Sequence, residues 1–307
     1  MNDSLTTEVA GVRLKNPFIA ASGTAGYIHD APQILSLPSF GGAVTKTLTL
    51  LPKEGNPQPR VWETASGILN SIGLENCGVD SFVKEHLPRL RITADLVVFV
   101  SVGGEDPNQL CTVLERLAPY TQHFDSLELN LSCPNIKSKS MISQSPSRTE
   151  RVVQLAKSIL PKTPIFVKLT PRVSDILKIS EAALEAGANG LVLTNTHPAL
   201  ALDRRTLKPA LGGVFGGLSG AAVKPLTLFT VFTVYQALRC PIIASGGVCD
   251  ESDAIEALAA GAAAVQLGTA NLVNPGAIDE LVENLKRNLA QRGFSSLKEL
   301  VGFAHQP

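Results

Sequence analysis

Eight short apolar runs recur along the 307-residue chain, and each of them ends in small or polar residues. Most of the runs are nearly continuous in apolar side chains, which is typical of parallel strands buried on both faces. Such strands need both faces of their sheet covered, which limits the possible folds to a few α/β architectures. The predicted strands span residues 16–24, 42–47, 96–103, 126–133, 164–170, 190–196, 241–247 and 264–269.

Segments with the residue spacing of amphipathic helices follow most of these strands. Asp106 and Asp250 stand at expected helix starts, and Gly187 and Gly261 stand at expected helix stops. The predicted helices span residues 107–117, 147–160, 174–186, 221–238, 251–260 and 275–292. Alternation through eight strands predicts an α/β fold, the closed (β/α)₈ TIM barrel, with an open doubly wound sheet as the alternative.

Two connections, residues 48–80 and 196–220, are too long to be simple turns. Both follow strands, so in a barrel they are inserted loops or hairpins at the C-terminal face, where the active sites of barrels lie. No linker or repeat divides the chain. We therefore expect one domain over residues 1–307.

The overall charge excludes several classes of partner. The chain has 27 Lys and Arg against 27 Asp and Glu, which argues against a nucleic-acid partner and against binding to a membrane surface. The apolar runs are expected to fall short of the roughly 18 residues of a membrane span. Residues 1–15 contain Asp3 and Glu8 and lack the apolar core of a secretory signal.

The five cysteines are scattered along the chain and form no C-x-x-C pair and no cluster with histidine at metal-ligand spacing. A disulfide framework, a zinc site and an iron–sulfur site are therefore not expected, and the site is predicted to need no metal. A reducing cytoplasm fits this pattern best. The cysteines are Cys77, Cys111, Cys133, Cys240 and Cys249.

Polar residues collect at the ends of the predicted strands, where they would meet at one face of a barrel. A single lysine or asparagine there is usually a rim charge or a turn former. Lys46 and Lys168 follow strongly apolar runs, however, so their side chains should begin inside the barrel mouth and attract an anion. The whole set is Ser22, Lys46, Ser101, Asn130, Cys133, Lys168, Asn195 and Thr196.

Glycine-rich turns close the last two predicted strands, at residues 244–248 and 266–270. In barrels these two positions commonly hold a phosphate, because glycine lets backbone N–H groups approach a ligand. Ordinary tight turns are the alternative. With no metal-ligand cluster in the sequence, we expect the phosphate of an organic cofactor.

Several motifs together resemble dihydroorotate dehydrogenase, in the family's order and over nearly the whole chain. They include Asn70-Ser-Ile-Gly-Leu74-Glu-Asn76, Asn130-Leu-Ser-Cys133-Pro-Asn135, Val167-Lys168-Leu-Thr-Pro171, Gly216-Gly-Leu-Ser-Gly220 and Gly268-Thr269-Ala-Asn271. Residues 55–60 and 63–67 are most similar to the class 1B catalytic subunit. The resemblance implies an FMN-containing (β/α)₈ barrel that oxidises (S)-dihydroorotate to orotate in de novo pyrimidine (UMP) biosynthesis.

The resemblance also implies a role for each matching residue. Cys133 would be the base that removes a proton from substrate C5, while hydride leaves C6 for the flavin. The predicted substrate contacts are Lys46, Asn70, Ile72, Gly73, Leu74, Asn130, Asn135, Asn195 and Thr196. The predicted flavin contacts are Ser22, Lys46, Thr47, Ser101, Asn130, Lys168, Thr194, Gly220, Gly246, Gly247, Gly268 and Thr269, with the last four on the phosphate.

Class 1B proteins work with a second subunit that carries FAD and a [2Fe–2S] cluster and passes electrons to NAD. The resemblance therefore implies a homodimer core that can join such a subunit in a heterotetramer. A class 1A-like enzyme that uses fumarate is the alternative, since class 1A proteins also lack iron–sulfur clusters.

Two departures from the family's pattern fall on the predicted site. Ser101 stands where the family usually has an asparagine on the flavin, so its shorter side chain would need water or a shifted loop to reach the cofactor. Residues 136–146 are rich in serine and lack the glycines usual in the substrate lid. These departures keep open a divergent FMN-binding barrel with altered substrate or lost turnover. A non-redox enzyme with a Schiff base on Lys168 is a further alternative.

Overall fold

The computed structural model describes residues 4–104, 106–132 and 141–307. Its strands are β1 Thr7–Val9, β2 Val12–Leu14, β3 Phe18–Ala20, β4 Gly42–Val44, β5 Val61–Thr64, β6 Gly67–Asn70, β7 Val97–Gly103, β8 Ser126–Asn130, β9 Ile165–Lys168, β10 Gly190–Leu193, β11 His197–Ala199, β12 Gly216–Ser219, β13 Ile242–Ser245 and β14 Ala264–Leu267. Its helices are α1 Gly78–Ser81, α2 Pro107–Leu117, α3 Pro146–Ile159, α4 Ile176–Glu185, α5 Lys224–Leu238, α6 Glu251–Ala259, α7 Thr269–Val273, α8 Ile278–Gln291 and α9 Leu297–Leu300.

Eight parallel strands close into a barrel in the order β3, β4, β7, β8, β9, β10, β13 and β14, with β14 pairing back onto β3. These are the eight strands predicted from the apolar runs, so the closed (β/α)₈ prediction is confirmed and the open sheet is excluded. The strands are buried almost throughout, because helices cover the outside and side chains fill the inside.

The six predicted helices are present as α2, α3, α4, α5, α6 and α8. Asp106 caps α2 by accepting the Asn108 N–H, and Asp250 caps α6 by accepting the Asp253 N–H. The first crossover, between β3 and β4, differs from the regular repeat because it contains only two 3₁₀ turns. The second crossover ends in α1 and a π-helical turn, Phe82–His86, which the sequence pattern did not reveal.

Residues 221–238 form one helical segment of 18 residues with mean hydropathy 1.3. Its length and composition would suffice to cross a membrane, so the expectation that no apolar run reaches such a length was wrong for this segment. Only 22% of the segment is buried, yet Val231 and Val234 are fully buried. The segment packs against β10 and β13 as a crossover helix of the barrel.

The N-terminal end of the barrel is filled by apolar side chains. The β1–β2 hairpin contributes Val9, Val12 and Leu14 to a cluster inside the barrel. Phe99 and Phe166 meet in the same cluster with their ring centroids 5.7 Å apart. This end is therefore closed, and a ligand site can form only at the opposite, C-terminal end.

A four-stranded antiparallel sheet covers the C-terminal end, and we call it the roof. It has the order β11-β12-β6-β5 and is built from the two long insertions, which supply one hairpin each. The hairpins join where β12 pairs with β6, with Gly217 opposite Asn70. The predicted insertions at the C-terminal face are thus confirmed, and they form one common layer.

Candidate active site

A cavity of about 1090 Å³ lies between the barrel and the roof. This volume is large enough for a cofactor together with a small substrate. The predicted site residues that line it are Ser22, Lys46, Thr47, Asn70, Ile72, Gly73, Leu74, Asn130, Lys168, Thr194, Asn195, Thr196, Gly220, Gly246, Gly247, Gly268 and Thr269. Cys133 and Asn135 lie outside the described residues, so their predicted roles stay predictions.

The floor of the cavity contains a buried ion pair, and we define the floor as Lys168, Glu128 and Gln266. The Lys168 Nζ donates to Gln266 Oε1 at 2.8 Å and lies 3.7 Å from Glu128 Oε1. The Gln266 Nε2 in turn donates to Glu128 Oε2 at 2.6 Å. Because Gln266 accepts a hydrogen bond from the ammonium and Glu128 pairs with it by charge, Lys168 is poorly suited to form a Schiff base, and it presents a fixed positive charge.

Glu128 and Gln266 were not predicted as part of the site. Glu128 stands in the middle of β8 and Gln266 stands in β14, and they are 0% and 2% exposed. Strand side chains alternate in direction, so Ser126, Glu128 and Asn130 of β8 point to the same side. A carboxylate in that inward register was a usable signal, because a fully buried charge needs a partner.

The side of the cavity is a network of short polar side chains centred on Thr47. The Thr47 hydroxyl accepts from Asn130 Nδ2 at 3.1 Å and lies 3.3 Å from the Ser22 hydroxyl. The Asn195 Nδ2 donates to Asn130 Oδ1 at 3.3 Å. Three strand ends, of β4, β8 and β10, therefore bring two carboxamides together, as the sequence predicted.

Ser101 does not line the cavity. It is 0% exposed, and its hydroxyl lies 2.9 Å from the Thr47 hydroxyl. Its backbone N–H donates to Thr45 Oγ1. A direct contact from Ser101 to a cofactor is therefore not supported, since Thr47 stands between the serine and the cavity.

The roof supplies the third carboxamide and a backbone segment. Asn70 Nδ2 donates to Gly217 O at 3.3 Å, across the junction of the two hairpins. The segment that follows turns at Gly73 and Leu74, with φ of +75° and +55°. A side chain at Gly73 would collide with the backbone of Asn56, so glycine is required there.

The mouth of the cavity carries a second, more exposed charge cluster, and we define the mouth as Lys46, Glu75 and Arg60. Lys46 Nζ lies 3.7 Å from Glu75 Oε2, and Arg60 Nη1 lies 2.8 Å from the same oxygen. Arg60 also donates to Glu54 O, so it ties the first insertion together. Lys46 therefore faces the cavity but shares its counter-ion.

The glycine turn after β13 is held in a narrow shape. Gly246 and Gly247 have φ of +122° and +82°, and a side chain at Gly247 would collide with the backbone of Lys224. Lys224 Nζ donates to Asp253 Oδ1 at 2.7 Å, and this hydrogen bond raises the pKa of Lys224. Asp253 Oδ2 accepts the N–H of Cys249, which closes the turn. Such a turn can bind an anion through its backbone.

His197, in β11 of the roof, also lines the cavity and was not predicted. Burial lowers the pKa of its imidazole, which favours the neutral ring at neutral pH. Its Nε2 is buried, and no hydrogen-bond partner for that nitrogen is found within the described ranges. The small polar residues that precede His197 did not indicate that its side chain would line the cavity.

Comparison with known proteins identifies the family. A family model described as dihydroorotate dehydrogenase matches residues 4–289. The catalytic subunit of dihydroorotate dehydrogenase B (NAD(+)) from Caldicellulosiruptor bescii is 41% identical over 300 residues, covering 97% of this chain and 98% of that protein. The protein of the same name from Caldicellulosiruptor saccharolyticus is 43% identical over 305 residues, with coverage of 97% and 98%.

A solved structure agrees with these sequence matches. The crystal structure of DHODH in complex with ferulenol from Eimeria tenella superposes with a TM-score of 0.83 and is 26% identical. The superposition covers 99% of this chain and 89% of that one. The motifs, the closed barrel and the family match agree, and the chain belongs to the dihydroorotate dehydrogenase family.

Proposed function

We propose that this protein is the catalytic subunit of a class 1B dihydroorotate dehydrogenase, which oxidises (S)-dihydroorotate to orotate in pyrimidine biosynthesis. One observation carries the proposal. A single cavity brings together the buried Lys168, the glycine turn at Gly246 and Gly247, and the carboxamides of Asn70, Asn130 and Asn195. The first two suit a phosphorylated cofactor, and the carboxamides suit a ring with amide edges.

The cavity fits FMN by the chemistry of its lining. Gly246, Gly247, Gly268 and Thr269 would hold the phosphate, since the turn at Gly246 and Gly247 has positive φ angles and Thr269 begins α7. Thr269 Oγ1 donates to the Ser219 hydroxyl at 2.8 Å, which orients it at the start of α7. When bound, FMN would supply the hydride acceptor, and Lys168 on the floor would offer it a positive charge.

The substrate would bind on the side formed by the carboxamides. A carboxamide both donates and accepts hydrogen bonds, which matches the alternating N–H and C=O groups of a pyrimidine edge. Asn130 and Asn195 are oriented toward each other by their own hydrogen bond, so the two carboxamides have fixed directions. Lys46 at the mouth would attract the substrate carboxylate.

Cys133 is proposed as the base that takes the proton from the substrate. It follows directly on the described end of the β8 segment, two residues after the buried Leu131. A thiol with an ordinary pKa of about 8.5 becomes a usable base near neutral pH when positive charge stabilises its thiolate. Closeness in the chain to Asn130 supports a place beside the predicted substrate pocket.

We further propose a homodimer core joined by an electron-transfer subunit that carries FAD and a [2Fe–2S] cluster and passes electrons to NAD. The support is the name of the relatives above, which are the catalytic subunits of NAD(+)-dependent enzymes. The free thiols of Cys77, Cys111, Cys240 and Cys249 support work in the cytoplasm, where thiols stay reduced. One FMN-binding domain over residues 1–307 completes the proposal.

Anaerobic flavin reduction tests the function directly. The purified protein should be yellow, should bleach with dihydroorotate, and should be reoxidised by NAD only when the electron-transfer subunit is present. Reoxidation by fumarate without that subunit would instead identify a class 1A-like enzyme. Failure to bleach with bound flavin would indicate a barrel that has lost turnover or changed its substrate, and a colourless protein unable to take up FMN would refute the proposal.

The variant Cys133→Ser tests the base. It should retain the flavin and slow bleaching by at least a hundredfold, which is the contribution expected of a positioned base. The variant Cys111→Ser is the matched control, since Cys111 lies on α2 on the outside of the barrel. A rate unchanged in Cys133→Ser would remove Cys133 from the mechanism.

A further inference from the structure

Three potential metal ligands meet on the C-terminal side of the barrel, outside the cavity described above. His29 and Asp30 lie in the crossover after β3, and His86 ends the π-helical turn that follows α1. One ligand atom from each residue lies within 4.8 Å of the other two. We call these three residues the His–Asp cluster. Sequence spacing could not reveal it, because His86 is 57 residues from His29.

The distances in the cluster are close to those of a metal site. His29 Nε2 and His86 Nδ1 are 2.9 Å apart. Two nitrogens bound to one tetrahedral zinc ion at about 2.0–2.1 Å lie about 3.3 Å from each other. The two nitrogens would therefore need to move apart by about 0.4 Å, and the rings would need to turn toward a common point, to bind one ion.

The ligand types narrow the choice of ion. Two imidazoles and one carboxylate suit zinc and neighbouring divalent transition metals, whereas calcium and magnesium prefer oxygen ligands. A metal ion would replace the hydrogen bond between the two ring nitrogens.

Neighbouring groups hold the ligands in place. Asp30 Oδ1 accepts the N–H of Tyr27 at 2.7 Å, which fixes the carboxylate beside the two rings. The His86 ring packs on Tyr27 with centroids 4.1 Å apart and stacks on His29 at 5.1 Å. Asp30 itself is exposed, so water can complete the coordination sphere from that side. Such support around the ligands is a usual feature of metal sites.

We propose that His29, Asp30 and His86 form a binding site for one zinc-type divalent transition metal ion, with a water molecule as the fourth ligand. The ion would link the crossover after β3 to the π-helical turn. That crossover also touches the catalytic side of the barrel, because Gly26 O accepts the N–H of Lys46 at 2.8 Å. The site does not depend on the proposed reaction, and the two can fail separately.

Zinc titration of the flavin-loaded protein tests the proposal. The protein is first stripped with a chelator, and the titration is run in a Cys133→Ser background so that this thiol cannot bind the metal. The parent should bind one equivalent of zinc in competition with a chromophoric chelator, and so should His123→Ala, a control outside the cluster. This zinc binding should be lost in His29→Ala and His86→Ala, and Asp30→Asn should weaken the affinity at least tenfold.

A second readout keeps the test decisive if a histidine variant folds poorly. Zinc should raise the melting temperature of the parent, because a ligand that binds only the native state stabilises it, and this rise should shrink in the exposed variant Asp30→Asn. Cobalt should bind without the charge-transfer band of a thiolate ligand. Equal zinc binding by the parent and His86→Ala, no zinc binding by the parent, or a thiolate band would each overturn the site.

Discussion

The floor and the mouth of the cavity each hold a lysine beside a glutamate, but the two pairs are built in opposite ways. On the floor, the side chains of Lys168 and Glu128 are 7% and 1% exposed. At the mouth, those of Lys46 and Glu75 are 28% and 47% exposed. Water screens the second pair and hardly reaches the first. The floor therefore has a fixed charge arrangement, whereas Lys46 can exchange Glu75 for an incoming anion.

The largest expected effect comes from removing the lysine of the floor. Lys168→Met leaves the buried Glu128 carboxylate without its cation, which should cost about 3–5 kcal/mol of stability and most of the bound flavin. Urea unfolding and flavin content measure both effects. The double variant Lys168→Met/Glu128→Gln removes both charges and should regain most of the stability. Equal losses in the single and double variants would show that the pair does not control stability.

A smaller effect is expected from Glu128→Gln. The change keeps the shape of the side chain, and Lys168 keeps its hydrogen bond to Gln266, so we expect a loss of about 1–3 kcal/mol. Because one negative charge leaves the floor, the midpoint potential of the bound flavin should become more positive. The potential is measured by anaerobic dye titration. A potential that stays the same, or falls, would contradict the view of the floor as a fixed charge arrangement.

At the mouth, Glu75→Gln should change binding more than stability. Exposed ion pairs contribute only about 0.2–1 kcal/mol, so the unfolding midpoint should hardly move. The Glu75 carboxylate would no longer compete with the substrate carboxylate for Lys46, and KM for dihydroorotate should fall by less than about fivefold. The fall should disappear at high salt because the site is exposed. A rise in KM would instead assign Glu75 a direct part in substrate binding.

The smallest effect is expected at His197, in β11 of the roof. Burial holds its folded pKa below the usual value of about 6.5, so below that pH the unfolded chain binds a proton that the native state does not. Stability contributed by the neutral ring is thus present above pH 6.5 and is lost as the pH falls. When the pH is lowered from 7.5 to 5.5, the free energy of unfolding of wild type should fall relative to that of His197→Leu by about 1 kcal/mol or less.

Urea midpoints at the two pH values measure the effect at His197. The variant His123→Leu, outside the cavity, serves as the control for a general loss of one histidine. If His197→Leu differs from wild type by the same amount at both pH values, the buried ring is not responsible for the acid sensitivity.

The barrel could be predicted because burial on both faces leaves its mark in every strand. The apolar runs and the caps at Asp106 and Asp250 are local signals, and each was confirmed. The strands of the roof were not predicted individually. β5 is mostly exposed and β12 is Gly216–Ser219, so neither carries an apolar pattern, and their pairing depends on the finished barrel.

Site residues at strand ends were predictable for a similar reason. Parallel strands bring their C-terminal ends to one face, so Lys46, Asn130 and Lys168 had to lie near one another. The place of Glu128 in the site and the contact of Ser101 with Thr47 were not predictable in the same way, because each depends on which side chain of another strand lies beside it. The proximity of His29 to His86 likewise depends on how two crossovers pack, which no local pattern encodes.

The roof has a consequence for how the protein is made. Its central pairing joins Asn70 to Gly217, which are 147 residues apart in the chain. Contacts between such distant segments form slowly, since a long loop must close first. During synthesis from the N-terminus, the β5–β6 hairpin emerges early and must wait for β12, which ends at Ser219. A nascent chain that is arrested before Ser219 therefore contains most of the barrel strands but no completed substrate pocket.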